Sequence, residues 1–187
     1  MSKLIDFNNP PNIVENIGII MIDTCTAIKI ASADVNSIDF VKFTLNNDIA
    51  LCYSTKTIEE IHIISESNTF PKRKKDYTKE QLPMLIQNSS NKAKAIIDTI
   101  NLLPNMYPEA IEYAGKNFIK DITDNSVKHN LRIPDSAIYT IAKSNGINYI
   151  WSHDKDWLNI NDPDMTIFTE GRFLNNSNRT FAVGKTN

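Results

Sequence analysis

Five carboxylates, Asp23, Glu60, Asp135, Asp154 and Asp156, stand where a chain of alternating strands and helices could assemble chemistry. Asp23, with Thr24 beside it, ends the apolar run Ile17-Gly18-Ile19-Ile20-Met21-Ile22. Glu60 follows a second apolar run, Ile49 to Tyr53, by way of Ser54-Thr55-Lys56-Thr57. Ser152, His153, Asp154 and Asp156 follow a third, Ile147 to Trp151, and Asp135 opens the helical pattern just before it. In open α/β sheets the functional crevice lies beyond the carboxyl ends of the strands, so these acids are placed to meet there. Carboxylates gathered in water-poor space repel one another and hold protons too tightly. A hard divalent cation, Mg²⁺ or Mn²⁺, removes that repulsion and prefers oxygen ligands. Such an ion polarises a phosphate oxygen and activates water. The chain has no glycine-rich phosphate loop, which suits a metal-held phosphodiester better than a P-loop nucleotide.

Every one of these residues also has a simpler reading. Asp23 could cap the helix after it, and Asp135 could sit at a helix start facing the positive end of the dipole. Thr57-x-x-Glu60 has the form of a capping box, and Asp154 or Asp156 could cap a final turn. Ser152 offers a hydroxyl to position metal or phosphate. His153 has no second histidine close by in sequence, which favours a rim residue contacting substrate over a catalytic base. The basic run Lys72-Arg73-Lys74-Lys75, near Tyr77, could track a nucleic-acid backbone or be a solvated loop. Cys25 reads as a small buried filler and Trp157 as a packing anchor.

The elements that must position these residues are legible in outline. Strands are expected at Ile17–Ile22, Ile49–Tyr53 and Ile147–Trp151, with a last short one at Met165–Phe168. Helices are expected over 27–33 and 35–45, then after Ser54 with Ile58, Ile61 and Ile64 on one stripe. Further helical pattern covers 92–103 and about 109–122, and a helix from about Ser136 to Asn145 begins near Pro134-Asp135 and stops at Gly146. Residues 1–16 read as an irregular lead-in, 65–91 as an irregular insertion, and 175–187 as a polar tail. The order of elements predicts one α/β domain over 1–187, a three-layer sandwich around a mainly parallel sheet.

Bulk composition narrows the function classes. The chain has 187 residues, 41% hydrophobic and 22% charged, which suits a sizeable core. A net charge of −2 gives no global pull toward nucleic acid or an acidic membrane, so such attraction has to be local. Cys25 and Cys52 form no CxxC pair, which points to a reduced cytoplasmic protein without a zinc site. No apolar run reaches membrane-spanning length, so no membrane association is expected.

The motifs together resemble the PIN-domain ribonucleases, and in ordering and spacing the toxins of the VapC type. The carrying blocks are the strand ending in Asp23-Thr24, the strand running into Ser54-Thr55 and on to Glu60-Ile61, Asp135-Ser136-x-Ile138-x-x-x-Ala142-x-x-x-Gly146, and Ser152-x-Asp154-x-Asp156-Trp157. The resemblance runs from about Ile17 to Phe173, and the last block is its most specific part. It implies that Asp23, Glu60, Asp135 and Asp154 bind metal, that Asp156 is the further acid of the closing motif, and that Ser152 positions metal or phosphate. It also implies a Mg²⁺- or Mn²⁺-dependent endoribonuclease leaving a 5′-phosphate and a 3′-hydroxyl, with RNA as substrate, an antitoxin protein as partner and a homodimer as the common assembly. Cys25 departs from the small polar residue usual at its place, Trp157 from a usual Phe, and the 65–91 insertion from the compact toxins. A phosphatase of the aspartyl-nucleophile class needs a second Asp where Cys25 stands, which sets that reading aside. A non-catalytic RNA-binding or protein-interaction module of the same fold is the standing alternative.

Overall fold

The computed structural model describes residues 2–10, 17–72 and 77–174. Five strands, β1 (Lys3–Asp6), β2 (Ile19–Ile22), β3 (Ala50–Cys52), β4 (Tyr149–Trp151) and β5 (Thr166–Thr169), form one sheet in the order β1-β5-β4-β2-β3. Every pairing in it is parallel. Helices α1 (Thr24–Ala31), α2 (Val35–Asn46), α3 (Thr55–Ser67), α4 (Leu82–Asn101), α5 (Phe118–His129), α6 (Ile133–Ser144) and α7 (Gly171–Leu174) complete the described secondary structure, with a 3₁₀ turn over Lys155–Asn159.

The strands are apolar throughout because both faces of the sheet are covered, and successive side chains point to opposite faces. Ile5, Ile20, Ile22, Leu51, Trp151 and Phe168 join one core with Ala27 and Ile30 of α1, Phe40 of α2, Ile61 of α3 and Ile100 of α4. The residues between them, Leu4, Met21, Cys52, Ile150 and Ile167, join a second core with Ile138, Ile141 and Ala142 of α6 and with Trp157. The result is the expected α/β three-layer sandwich. Its sheet is parallel in every pairing, where the sequence predicts a mainly parallel one. Aromatic rings lock the first core, with Phe40 edge-on to Trp151 at 4.6 Å between centroids and Phe7 5.6 Å from Trp151.

Three stretches differ from the sequence expectation. The irregular lead-in contains β1, whose Lys3 N–H donates to the Met165 carbonyl at 2.9 Å while Phe7 N–H donates to Thr169 at 3.0 Å. Lys-Leu-Ile-Asp is too short to show a period, and it is the open edge of β5 that makes it a strand. The irregular insertion is ordered at both ends among the described residues: α3 runs to Ser67 and α4 starts at Leu82. Pro83, inside that insertion, lies in the first turn of α4, where a missing N–H leaves no hydrogen bond unmade. Finally, the start of the helix expected over 109–122 is extended, with Ile111 N–H donating to Tyr53 at 2.8 Å and Thr55 N–H to Ile111 at 3.0 Å. Pro108 and the available backbone after β3 outweigh the helical pattern there, and α5 begins only at Phe118.

Candidate functional site

The site grows out of the carboxyl ends of the two central strands, β2 and β4. Asp23 N-caps α1, its Oδ1 accepting from the Thr26 N–H at 2.7 Å. Its N–H donates to the Trp151 carbonyl at 3.1 Å, and the Thr26 hydroxyl donates to the same carbonyl at 3.0 Å. The end of β4 is thereby tied to the start of α1. Ser152, held against β5 by its N–H to Phe168 at 2.9 Å, donates its hydroxyl to the second oxygen of Asp23. The same hydroxyl accepts from the Asp154 N–H at 2.9 Å. Asp154 then N-caps the 3₁₀ turn, with Oδ1 accepting from the Asp156 N–H at 3.0 Å. Asp23 and Asp154 are thus both caps, as the simple reading has it, and members of one hydrogen-bonded group.

Glu60 reaches the site from α3. The capping box expected from Thr57 does not form, because Ser54 is the N-cap, its hydroxyl oxygen accepting from the Thr57 N–H at 3.1 Å. Glu60 is therefore released from its own helix start and accepts a hydrogen bond from the buried Thr24 hydroxyl. Asp135 is buried in the first turn of α6, and Pro134 lies beside it in that turn.

Burial and neighbouring acids raise two of the carboxyls and the thiol between them in sequence. Burial first, and then Asp154, raise Asp23 to about 6 against the hydrogen bonds from Ser152 and Thr26. Burial raises Asp135 to about 7, with Arg132 opposing and Asp23, Asp154 and Glu60 adding to the rise. The Cys25 thiol is pushed up to about 12 by desolvation and by Asp23, Asp154, Asp135 and Glu60 together. Cys25 is exposed rather than the buried filler expected, and its thiol stays protonated at neutral pH.

Arg132, to which sequence reasoning gave no role, bridges the acids. Its Nε lies 3.2 Å from Asp135 Oδ2 and 3.2 Å from Asp156 Oδ2, and a terminal nitrogen lies 2.9 Å from Asp154 Oδ2. The signal available in the sequence was an Arg three residues before an Asp at a helix start, which is common enough to pass unnoticed.

His153 departs from its expected place at the rim. Side chains alternate at the strand end, so with Ser152 and Asp154 facing the acids, His153 points the other way. It is buried, with Nδ1 2.8 Å from Glu170 Oε1, Nε2 3.1 Å from the Ser37 hydroxyl, and its ring edge-on to Phe7. Burial lowers its pKa in spite of Glu170. Lys29 lies 3.0 Å from both His153 Nδ1 and Glu170, closing a network that joins the ends of β4 and β5. Of the basic run, Lys72 lies in a bend beyond α3, and Arg73, Lys74 and Lys75 lie outside the described residues.

The donor set fits Mg²⁺ or Mn²⁺ in chemical type: all oxygen, mostly carboxylate, with Asp23 and Asp135 raised by burial and by a crowding of negative charge that a dication would relieve. The side chains are not closed around an ion, however. Among the described residues no three of the His, Cys, Asp and Glu side chains are arranged to hold one.

Comparison with known proteins gives a fold and no family. No family model matches the chain, and no curated protein matches it. Among solved structures, a chain of VapBC2 from Rickettsia felis, crystallised bound to a DNA fragment from their promoter, is similar over 81% of this chain and 98% of its own. The TM-score is 0.52 at 10% identity, so the likeness is one of architecture. No described helix is long and apolar enough to cross a membrane.

Proposed function

We propose that the chain is a divalent-cation-dependent endoribonuclease of the PIN type, acting as the toxin of a toxin–antitoxin pair. One observation carries this reading: the acids Asp23, Glu60 and Asp154, from three other parts of the sequence, lie close enough to Asp135 to help raise its carboxyl, beyond the carboxyl ends of a parallel sheet. The architectural likeness to VapBC2, which is itself a complex, supports an antitoxin as the protein partner. A homodimer and an RNA substrate follow from the same reading.

Asp23, Asp135 and Asp154 would hold Mg²⁺ or Mn²⁺, with Glu60 and Asp156 at its margin. When bound, the ion supplies Lewis acidity at a phosphate oxygen and makes water a better nucleophile at neutral pH. The chain's own residues do the positioning. Ser152 fixes the rotamer of Asp23 and the backbone of Asp154 at once, and Thr24 fixes Glu60. Lys72 to Lys75 are the residues proposed to follow the RNA backbone.

A non-catalytic RNA-binding or interaction module remains a second reading, favoured by the ion pairs that Arg132 makes with three of the acids. Incubating purified protein with single-stranded RNA in Mn²⁺, and separately in EDTA, distinguishes the two. Cleavage is expected in Mn²⁺, none in EDTA, and none with Asp135→Ala. Cleavage that persists in EDTA or in the Asp135→Ala protein overturns the nuclease assignment.

A further inference from the structure

Arg132 is held firmly by its backbone and loosely by its side chain. It occupies the N-cap position of α6, its carbonyl accepting from the Ser136 N–H at 2.8 Å. The residues before it are pinned: Asn130 takes the left-handed conformation at φ 51°, and the buried Leu131 donates its N–H to Ser126 at 3.1 Å and accepts the Ser126 hydroxyl at 2.7 Å. The guanidinium, by contrast, is on a side chain 65% exposed, although it touches Asp135, Asp154 and Asp156 together. Its anchor point is fixed, and its charged end lies largely exposed to water.

A guanidinium cannot lose its proton at any accessible pH, so it cannot vacate the acids by titrating. It can leave only by rotating away. The ion pairs it makes are at the solvent mouth, where each contributes little, of order 0–1 kcal/mol. A dication brings twice the charge and takes the carboxylate oxygens themselves as ligands. Arg132 and a metal ion therefore want the same oxygens of Asp135 and Asp154, and the same negative field attracts both.

We propose that Arg132 is a resident cation that competes with Mg²⁺ or Mn²⁺ for Asp135 and Asp154, and so sets the metal concentration at which the site fills. The proposal rests on the metal-dependent reading given above. It makes Arg132 a positioning residue whose removal improves metal binding. That sign is the opposite of what a structural clip or an ordinary binding residue would give.

Titration calorimetry of Mn²⁺ into the metal-free full chain at neutral pH tests it, using wild type, Arg132→Gln, Arg132→Lys and Asp135→Asn. Arg132→Gln is expected to bind Mn²⁺ about 3- to 10-fold more tightly than wild type, as one displaced cation would give. Arg132→Lys is expected between the two, since a point charge cannot span three carboxylates as the planar fork does. Asp135→Asn is expected to bind weakly. If wild type binds Mn²⁺ and both Arg132 variants bind it equally or less well, the competition is overturned while the metal site stands. If wild type and the Arg132 variants all fail to bind, the competition and the metal-dependent reading fall together. Arg132→Lys keeps the charge at the same anchor, so the comparison holds even where Arg132→Gln loses stability.

Discussion

Asp135 is a buried carboxyl whose cost to the fold depends on pH. Its carboxyl is raised to about 7 in the folded protein, chiefly by burial, against an ordinary value of 3.8. Between these two values the folded chain binds the proton more tightly than the unfolded chain, so the group's contribution to stability falls as pH rises through that window. At pH about 7.5 the full penalty is present. Asp135→Asn is therefore expected to raise the unfolding free energy by about 1–3 kcal/mol at that pH while abolishing RNA cleavage. Urea melts beside a cleavage assay check both halves, and a variant that is less stable as well as inactive would mean that the Arg132 pair outweighs burial. Ser152 is the contrasting case. Its hydroxyl is fully buried and serves Asp23 and the Asp154 backbone simultaneously. Ser152→Ala leaves both without that partner and is expected to cost about 1–3 kcal/mol, read in the same melts.

At the scale of elements, the site depends on junctions rather than on helices or strands themselves. Gly146, at φ 69°, turns the chain from α6 into β4 in the left-handed region, and nothing lies within 4 Å of where its Cβ would be. Gly146→Ala thus meets strain without a clash and is expected to lower stability by about 1 kcal/mol, with cleavage retained. At the sheet's edge, Phe7 follows β1 and packs on Phe40, Trp151 and His153. Phe7→Ala is expected to cost about 3–5 kcal/mol, measured by thermal or urea unfolding, since it opens a cavity against the ring cluster behind β4. Local chemistry announced some of these junctions. The glycine after α6 and the acid after β2 could be read directly, because a helix stop and a cap are signals a few residues long. The direction of His153 could have been inferred from alternation past Trp151, but its partner Glu170 is set by the neighbouring strand, which no local pattern specifies.

For the molecule as a whole, metal-free and metal-loaded protein should respond to pH in opposite senses. Without metal, Asp23 at about 6 and Asp135 at about 7 make the fold more stable toward acid, until other groups intervene. With Mn²⁺, protons compete for the same oxygens, so the stabilisation that the ion confers should shrink as pH falls below about 7. Melting curves taken from about pH 5 to about pH 8, with and without Mn²⁺, should converge at the acid end, and parallel curves would count against a shared site. The sequence alone determined the layered α/β plan, since strands buried on both faces must be apolar throughout and helices must carry a stripe. It also placed Asp23 and Asp154 just past strand ends, because a strand's last residue and a helix's cap are adjacent in the chain. Only the tertiary structure decided that Lys3–Asp6 is a strand, that Glu60 turns to Thr24 instead of its own helix, and that Arg132 lies among the carboxylates. Each of those outcomes depends on a partner far away in sequence, an open sheet edge, a buried hydroxyl or a concentration of negative charge, and such partners come together only when the chain has folded.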